Sequence, residues 1–322
     1  MPKEISHWYL AERVKSNLPE GSVFFDPVHT CENLFFLGAV APDIPFYYLL
    51  GPGSARIQAA AEPFHRSDQR ALTPVLTFLE QMKGPDMDAG ALSLGAGILC
   101  HILVDSVFHP LVYYFSGMSR VHPGARARHR QFETALDLYF LHQNPAGVRT
   151  SLGRILSQTE VTQTRLLGYL GRVFALDKPG DSTCLGYAVR SHAFYQNLFQ
   201  NKGVYRILHR VNKGRHRFLD LALSLFYPDS QAEPTAFFDL PFEYRDPDTG
   251  QACRAGIPDL ARQAETSALA LLTRVSEQML QQQPLACLAE DAGLPRVRPG
   301  IEICRYWRKK NDLLSDLYRR KR

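Results

Sequence analysis

The sequence predicts a mainly α fold, a multi-helix bundle. Apolar residues recur at helical spacing through most of the 322 residues, while strand-like alternation is scarce. Pro and Gly cut the chain into helix-length pieces at Gly51-Pro52-Gly53, Gly84-Pro85, Pro145 and Pro179-Gly180. The longest apolar stretch, Ala89 to Val104, is interrupted by His101 and closed by Asp105 before it would span a bilayer, so it reads as a buried helix.

In chain order the periodicity predicts helices over Ser6–Ser16, Arg70–Met82, Ala91–Phe108, Arg126–Leu141 and Arg165–Ala175. Further helices follow over Ala188–Gln200, Arg217–Phe226, Pro258–Gln282 and Ile303–Arg319. Between the last of these, Pro234–Gly256 reads as an extended loop or short hairpin, with Asp246-Pro247-Asp248-Thr249-Gly250 as its turn. No repeat of fixed period and no low-complexity tract is present. The expected organisation is a helical domain over residues 1–230, with residues 231–322 adding a loop and C-terminal helices packed on the same domain.

Composition narrows the classes. With 45% hydrophobic and 11% aromatic residues the chain can bury a sizeable core, which excludes global disorder. Gly (22) and Pro (21) are too few for a collagen-like chain, and six scattered cysteines without a CxxC pair argue against both a disulfide scaffold and a Cys-type zinc site. From Ile301 to Arg322 eight basic residues face three acids, so this window alone carries the formal +5 and the body before it is neutral. That distribution does not fit a protein that coats nucleic acid. The basic end reads either as a solvated helix terminus or as a contact for anionic lipid. The opening MPKEISHWYLAERV has no apolar h-region, so the expectation is a cytoplasmic protein, with peripheral membrane contact through the basic end.

The chemistry lies in Cys100–Pro110, CHILVDSVFHP. His101, Asp105 and His109 stand at i, i+4 and i+8, on one face of a helix. Two imidazoles and a carboxylate are a ligand set that Zn²⁺ favours. Buried without partners they would cost several kcal/mol, roughly the penalty for unpaired polar groups. A metal would satisfy them, and so would a hydrogen-bonded His–Asp–His relay. His129 and Glu133 repeat the i, i+4 spacing downstream, Asp43 follows a stiff Pro turn, His65 follows Pro63-Phe64, and His7 sits on the first helix.

The ordered set His7, Asp43, His65, His101, Asp105, His109, His129 and Glu133 resembles the zinc-dependent phospholipase C family, within the wider group that includes P1-type nucleases. Five of the eleven histidines fall on the pattern. The resemblance runs from the first helix to about Glu133 and implies a metal cluster in the core of the bundle. It implies one zinc held by Asp43, His65, His101 and Asp105, a second by His109, His129 and Glu133, and a third sharing Asp105 with His7. The chain departs from the secreted members in two ways. Asp105 and His109 are separated by three residues where those members have five, and the chain has no N-terminal Trp to close the third site. The remaining histidines (His29, His122, His142, His192, His209 and His216) lack ligand spacing and read as surface or core residues.

Clustered zinc would activate water and neutralise phosphoryl charge, with Asp43 orienting or deprotonating the attacking water. No GxSxG motif or activated cysteine competes as a nucleophile. The expected function is a zinc-dependent phosphodiesterase acting on phospholipids, of type C or D, with Asp43 catalytic. The alternatives are a P1-like single-strand nuclease and a non-catalytic helical module stapled by zinc. A P1-like enzyme would need a basic groove, which the neutral body lacks. The aromatics Phe46, Tyr47, Tyr48, Phe64, Tyr113, Tyr114 and Phe115 lie near the ligands in sequence, where they would line a substrate groove or belong to the core. The positions that give choline selectivity in the family hold Ile44 and Glu62 here, so that selectivity is not carried over.

Overall fold

The computed structural model describes residues 3–65, 69–84, 87–117, 124–144, 149–212, 217–227, 238–247 and 249–291. The helix expected over Ile303–Arg319 and the basic window 301–322 lie outside them, as does the start of the expected loop at Pro234.

Helix α6 (Ala89–Ser116) is the axis of the bundle. It is buried on nearly every side, which is why its sequence is apolar all round rather than along one stripe. Asp88 caps its start by accepting a hydrogen bond from the Ala91 amide (3.2 Å), and Gly117, at φ +76°, ends it. The helix is longer than the apolar run predicts because it passes through Pro110. An interior proline costs about 3 kcal/mol, and here burial of Leu111, Val112 and Phe115 beyond it offsets that cost. Among the described helices α6 alone is long and apolar enough to cross a membrane, and its apolar window is wholly enclosed by protein.

Around α6 stand α1 (Glu4–Ser16), α2 (Phe25–Thr30), α3 (Glu32–Gly38), α5 (Thr73–Glu80), α7 (Ala125–Gln143) and the long helix Ile257–Leu280. A 3₁₀ turn, Ala41–Tyr47, follows α3 and leads to α4 (Ser54–Ala61). Helices α8 (Leu152–Ser157), α9 (Gln163–Val173) and α10 (Asp181–Phe199) cover the α3 side, followed by α11 (Lys202–Val211) and α12 (Arg217–Leu223). The expected hairpin forms as β1 (Phe242–Arg245) against β2 (Ala252–Ala255), with Phe242 opposite Ala255. Its turn is held by Asp246, whose carboxylate accepts from the Thr249 amide at 2.7 Å. The helix expected over Arg70–Met82 begins instead as a 3₁₀ turn, Gln69–Leu72, with Pro74 fixing the first turn of α5. The short helices α2, α3, α4 and α8 offer only about two turns each, too few for a periodic run to show, whereas α11, absent from the expected helices, carries an i, i+3, i+4, i+7 apolar pattern.

Two glycines set the tightest contact in the bundle. A Cβ on Gly97 would lie 2.1 Å from the Phe35 carbonyl oxygen, and one on Gly38 would lie 2.3 Å from that of Leu94. The backbones of α3 and α6 therefore touch, and the Ala39 carbonyl just past α3 reaches a side chain of α6 at His101.

Helix α1 is fixed by a carboxylate from α7. Asp137 accepts hydrogen bonds from the Ser6 amide (2.8 Å), the Ser6 hydroxyl (2.6 Å), the Ile5 amide (3.3 Å) and the Tyr227 hydroxyl (2.5 Å). It closes the N-terminus of α1, which has no cap of its own. Burial, with the nearby Glu4 charge, pushes the Asp137 carboxyl up to about 6. Glu4 beside it accepts from Tyr47 (2.9 Å) and pairs with His192 (2.8 Å). Burial alone would raise Glu4, but the hydrogen bond and charge of His192, with the Lys3 ammonium, hold it down at about 2.

Gly97→Ala is expected to cost about 1–3 kcal/mol or more through overpacking, because the atoms it meets are backbone and cannot rotate away. Thermal unfolding measures it, and an unchanged Tm would show that α3 can retreat freely. Glu4→Gln should lose about 1.5–3 kcal/mol at neutral pH. Since the folded carboxyl is depressed, this difference should be full above pH 4.5 and shrink as pH falls through about 2. Chemical unfolding of both proteins across that window tests the sign.

Candidate metal centre

The α6 stripe meets four other segments in the core. The face of α6 that carries His101, Asp105 and His109 is covered by His7 from α1, Asp43 from the Ala41–Tyr47 turn, His65 from the adjoining 3₁₀ turn Glu62–His65, and His129 and Glu133 from α7. Three groups have donor atoms close enough to share one ion: Asp43, His65 and His101; His7, His101 and Asp105; and His109, His129 and Glu133.

The distances tie the first two groups together. His65 Nε2 lies 3.2 Å from Asp43 Oδ1, and His101 Nε2 lies 3.9 Å from the same oxygen. Asp105 aims one oxygen at His101 Nε2 (3.5 Å) and the other at His7 Nε2 (3.4 Å) and His109 Nε2 (4.0 Å). His7 and His101 stack as parallel rings with centroids 4.2 Å apart. In the third group His129 Nε2 lies 2.6 Å from Glu133 Oε1, and the His109 and His129 rings are 5.7 Å apart.

Orientation distinguishes this cluster from a satisfied hydrogen-bond relay. His65 Nδ1 donates to the Ala61 carbonyl (3.0 Å) and His101 Nδ1 donates to the Ala39 carbonyl (2.9 Å). A carbonyl can only accept, so both rings carry their proton on Nδ1 and turn the Nε2 lone pair inward. Those inward atoms (His65 Nε2, His101 Nε2, Asp43 Oδ1 and both oxygens of Asp105) are buried and make no hydrogen bond. Both ring nitrogens of His7 share that condition. Buried polar atoms are almost always satisfied, so this many in one place could hold a cation. Nitrogen and carboxylate donors without thiolate suit zinc.

The electrostatics agree. Burial alone would lower His101, yet Asp105 and Asp43 outweigh it and raise its pKa. Burial would raise the two carboxylates, but the imidazoles around them hold Asp43 below the usual range and Asp105 well below it. His7 is lowered by burial and by the charge of the adjacent His101, and burial holds His129 well below its usual value, so both favour the neutral form that binds metal.

The cluster is not sealed. Asp43 and His129 retain 12% and 15% side-chain exposure, while His7, His101 and Asp105 are closed to solvent. Phe46 leans on His65 at 5.1 Å, and Tyr113 packs against His109 and His129 at 5.2 and 4.9 Å. Phe64 and Phe115 belong instead to the core, against Phe174 and Phe132. The ligand-like spacing missed a surrounding layer made of Glu4, Tyr47, His192 and Asp137. Tyr47 lies four residues after Asp43 and stacks on His192 at 3.9 Å. Asp137 had a visible signal, since it extends His129 and Glu133 to i, i+4, i+8 on α7, the spacing already seen on α6. His192 had none.

A family model described as zinc dependent phospholipase C matches residues 6–194, which takes in every residue of the cluster and continues to the end region of α10. No curated protein and no solved structure matches the chain.

Asp105→Asn keeps the shape of the side chain while removing the charge shared among three imidazoles. Bound divalent metal, counted by elemental mass spectrometry, and Tm should fall together. Full metal content in this variant would show that Asp105 is an ordinary core residue.

Proposed function

Because the chain belongs to the zinc-dependent phospholipase C family, we propose that it hydrolyses a phosphodiester bond of phospholipids, by cleavage of type C or D. The observation that carries the reading is the set of inward-facing, unsatisfied His and Asp atoms that opens to solvent only beside Asp43 and His129. Asp43, His65 and His101 would hold one zinc, His7, His101 and Asp105 another, and His109, His129 and Glu133 a third. The sharing of His101 makes the first two interdependent. Bound zinc supplies Lewis-acid stabilisation of phosphoryl charge and lowers the pKa of water.

The chain's own residues do the rest. Ala39 and Ala61 lock the tautomers of His101 and His65, which keeps their Nε2 lone pairs available. Asp43 engages His65 through one oxygen and, as the most exposed acid of the first two groups, is the residue to orient the attacking water and accept its proton. Ser116 stands 3.4 Å from His129 Nδ1 and turns Nε2 toward Glu133. The apolar walls around Asp105 exclude bulk water and strengthen each of these charges. No nucleophilic side chain is required.

His129 is the most exposed imidazole of the set, so its group should be the most labile. His129→Ala is expected to remove one equivalent of zinc and abolish headgroup release from phospholipid vesicles, with Tm lowered only modestly. Retention of all zinc and full turnover would remove the third group from the mechanism. Single-stranded DNA serves as the competing substrate, and its cleavage in place of phospholipid would overturn the choice of substrate.

A further inference from the structure

The body of the chain is neutral in sum, but its charge is not evenly spread. From Ser182 to Leu219 there are seven basic residues and no acid. This stretch contains most of α10 and all of α11. Helix α11 has no fully buried residue: of its apolar side chains Val204, Ile207, Leu208 and Val211, at i, i+3, i+4 and i+7, Val204 and Leu208 pack on the core while Ile207 and Val211, one turn apart, face outward. Ile207 and Val211 are 62% and 63% exposed, with Lys202, His209 and Arg210 around them. On the outer face of α10, Phe194 is 62% exposed and Arg190 covers the ring of the exposed Tyr187. Tyr187 in turn stacks on Tyr48 at 6.4 Å, and the next two residues, Leu49 and Leu50, project into solvent, Leu50 by 87%.

We propose that Leu49–Leu50, the outer face of α10 and the exposed Ile207–Val211 edge of α11 form a docking face for an anionic lipid bilayer. A helix anchored on the core by Val204 and Leu208, with Ile207 and Val211 exposed beside a cationic flank, has the form of a segment that lies in a membrane interface. Charge complementarity selects the partner. An acid-free cationic stretch seeks an anionic surface, and the chain's own basic window at 301–322 carries the same sign and would be repelled. The loop bearing Leu49 and Leu50 continues directly from the turn that holds Asp43, so docking there would place the bilayer against the segment that carries a residue of the metal cluster. This placement rests on the phospholipid reading for its purpose, though not for its evidence.

The test uses the full-length protein with vesicles of phosphatidylcholine alone and of phosphatidylcholine mixed with phosphatidylserine. Sedimentation and headgroup release are read on the same samples, and zinc content is checked in each variant. The expected result is binding that depends on phosphatidylserine and weakens with salt. Lys202→Glu and Arg210→Glu should each reduce it by at least fivefold, following the electrostatic contribution of one basic residue. Ile207→Ser with Val211→Ser should reduce it at least tenfold. All variants should keep their Tm and their turnover of a soluble short-chain phosphodiester, because none of these residues lies in the cluster. Vesicle binding unaffected by these substitutions would overturn the docking face. So would a dimer in light scattering that the apolar substitutions dissociate, or tight single-stranded DNA binding lost with the charges. Vesicle binding that follows the substitutions, without any headgroup release, would uphold the face and reject the enzymatic reading.

Discussion

A buried carboxylate organises this molecule. Asp105 sits at the centre of a helix enclosed by protein, closed to solvent, with neither oxygen hydrogen-bonded. An isolated charge in such a place is among the most costly arrangements a fold can contain. The polar groups that face it supply positive charge or the means to hold some: three imidazoles from two helices lie within 4.0 Å of its oxygens. The bundle is arranged so that this carboxylate has partners, and a bound divalent cation would complete the compensation that neutral imidazoles leave partial.

Such a cluster needs its donors aimed, and the aiming is done by backbone. The glycine contact between α3 and α6 lets the Ala39 carbonyl reach His101, and the carbonyl of Ala61 does the same for His65 one turn away. A side chain at Gly97 would separate the two helices and release His101 to rotate. Packing at the crossing and chemistry at the cluster are thus a single constraint, which explains why small residues lie along an otherwise bulky core helix.

A second polar layer encloses the first. Asp137 fixes α1, and with it His7, to the helix that carries His129 and Glu133. Glu4 joins the same end of α1 to Tyr47 and His192, and so to the turn carrying Asp43 and to α10. This outer layer connects ligand-bearing segments to one another by charged hydrogen bonds. Relative movement of α1, α7 and the Asp43 turn would therefore have to break them. The inner face of α10 faces this network while its outer face is the cationic, partly apolar surface, so one helix ties the cluster to the exterior.

The residue spacing determined a good part of this by itself. His101, Asp105 and His109 share a face because a helix repeats every 3.6 residues, and His129 with Glu133 follow the same rule. The long helices and the hairpin were legible because they are long enough for periodicity or carry an unambiguous turn. Tertiary structure decided what periodicity cannot encode. His7, Asp43 and His65 come from separate segments, and only packing could set His7 flat against His101 and make that histidine common to two groups. The run through Pro110 depended on burial of the residues beyond it, and the role of Glu4 and His192 on a contact spanning 188 positions. The apolar positions of α11 were present in the sequence, but that Val204 and Leu208 meet the core while Ile207 and Val211 face solvent was a question of what packed against them, and that is a property of the whole fold.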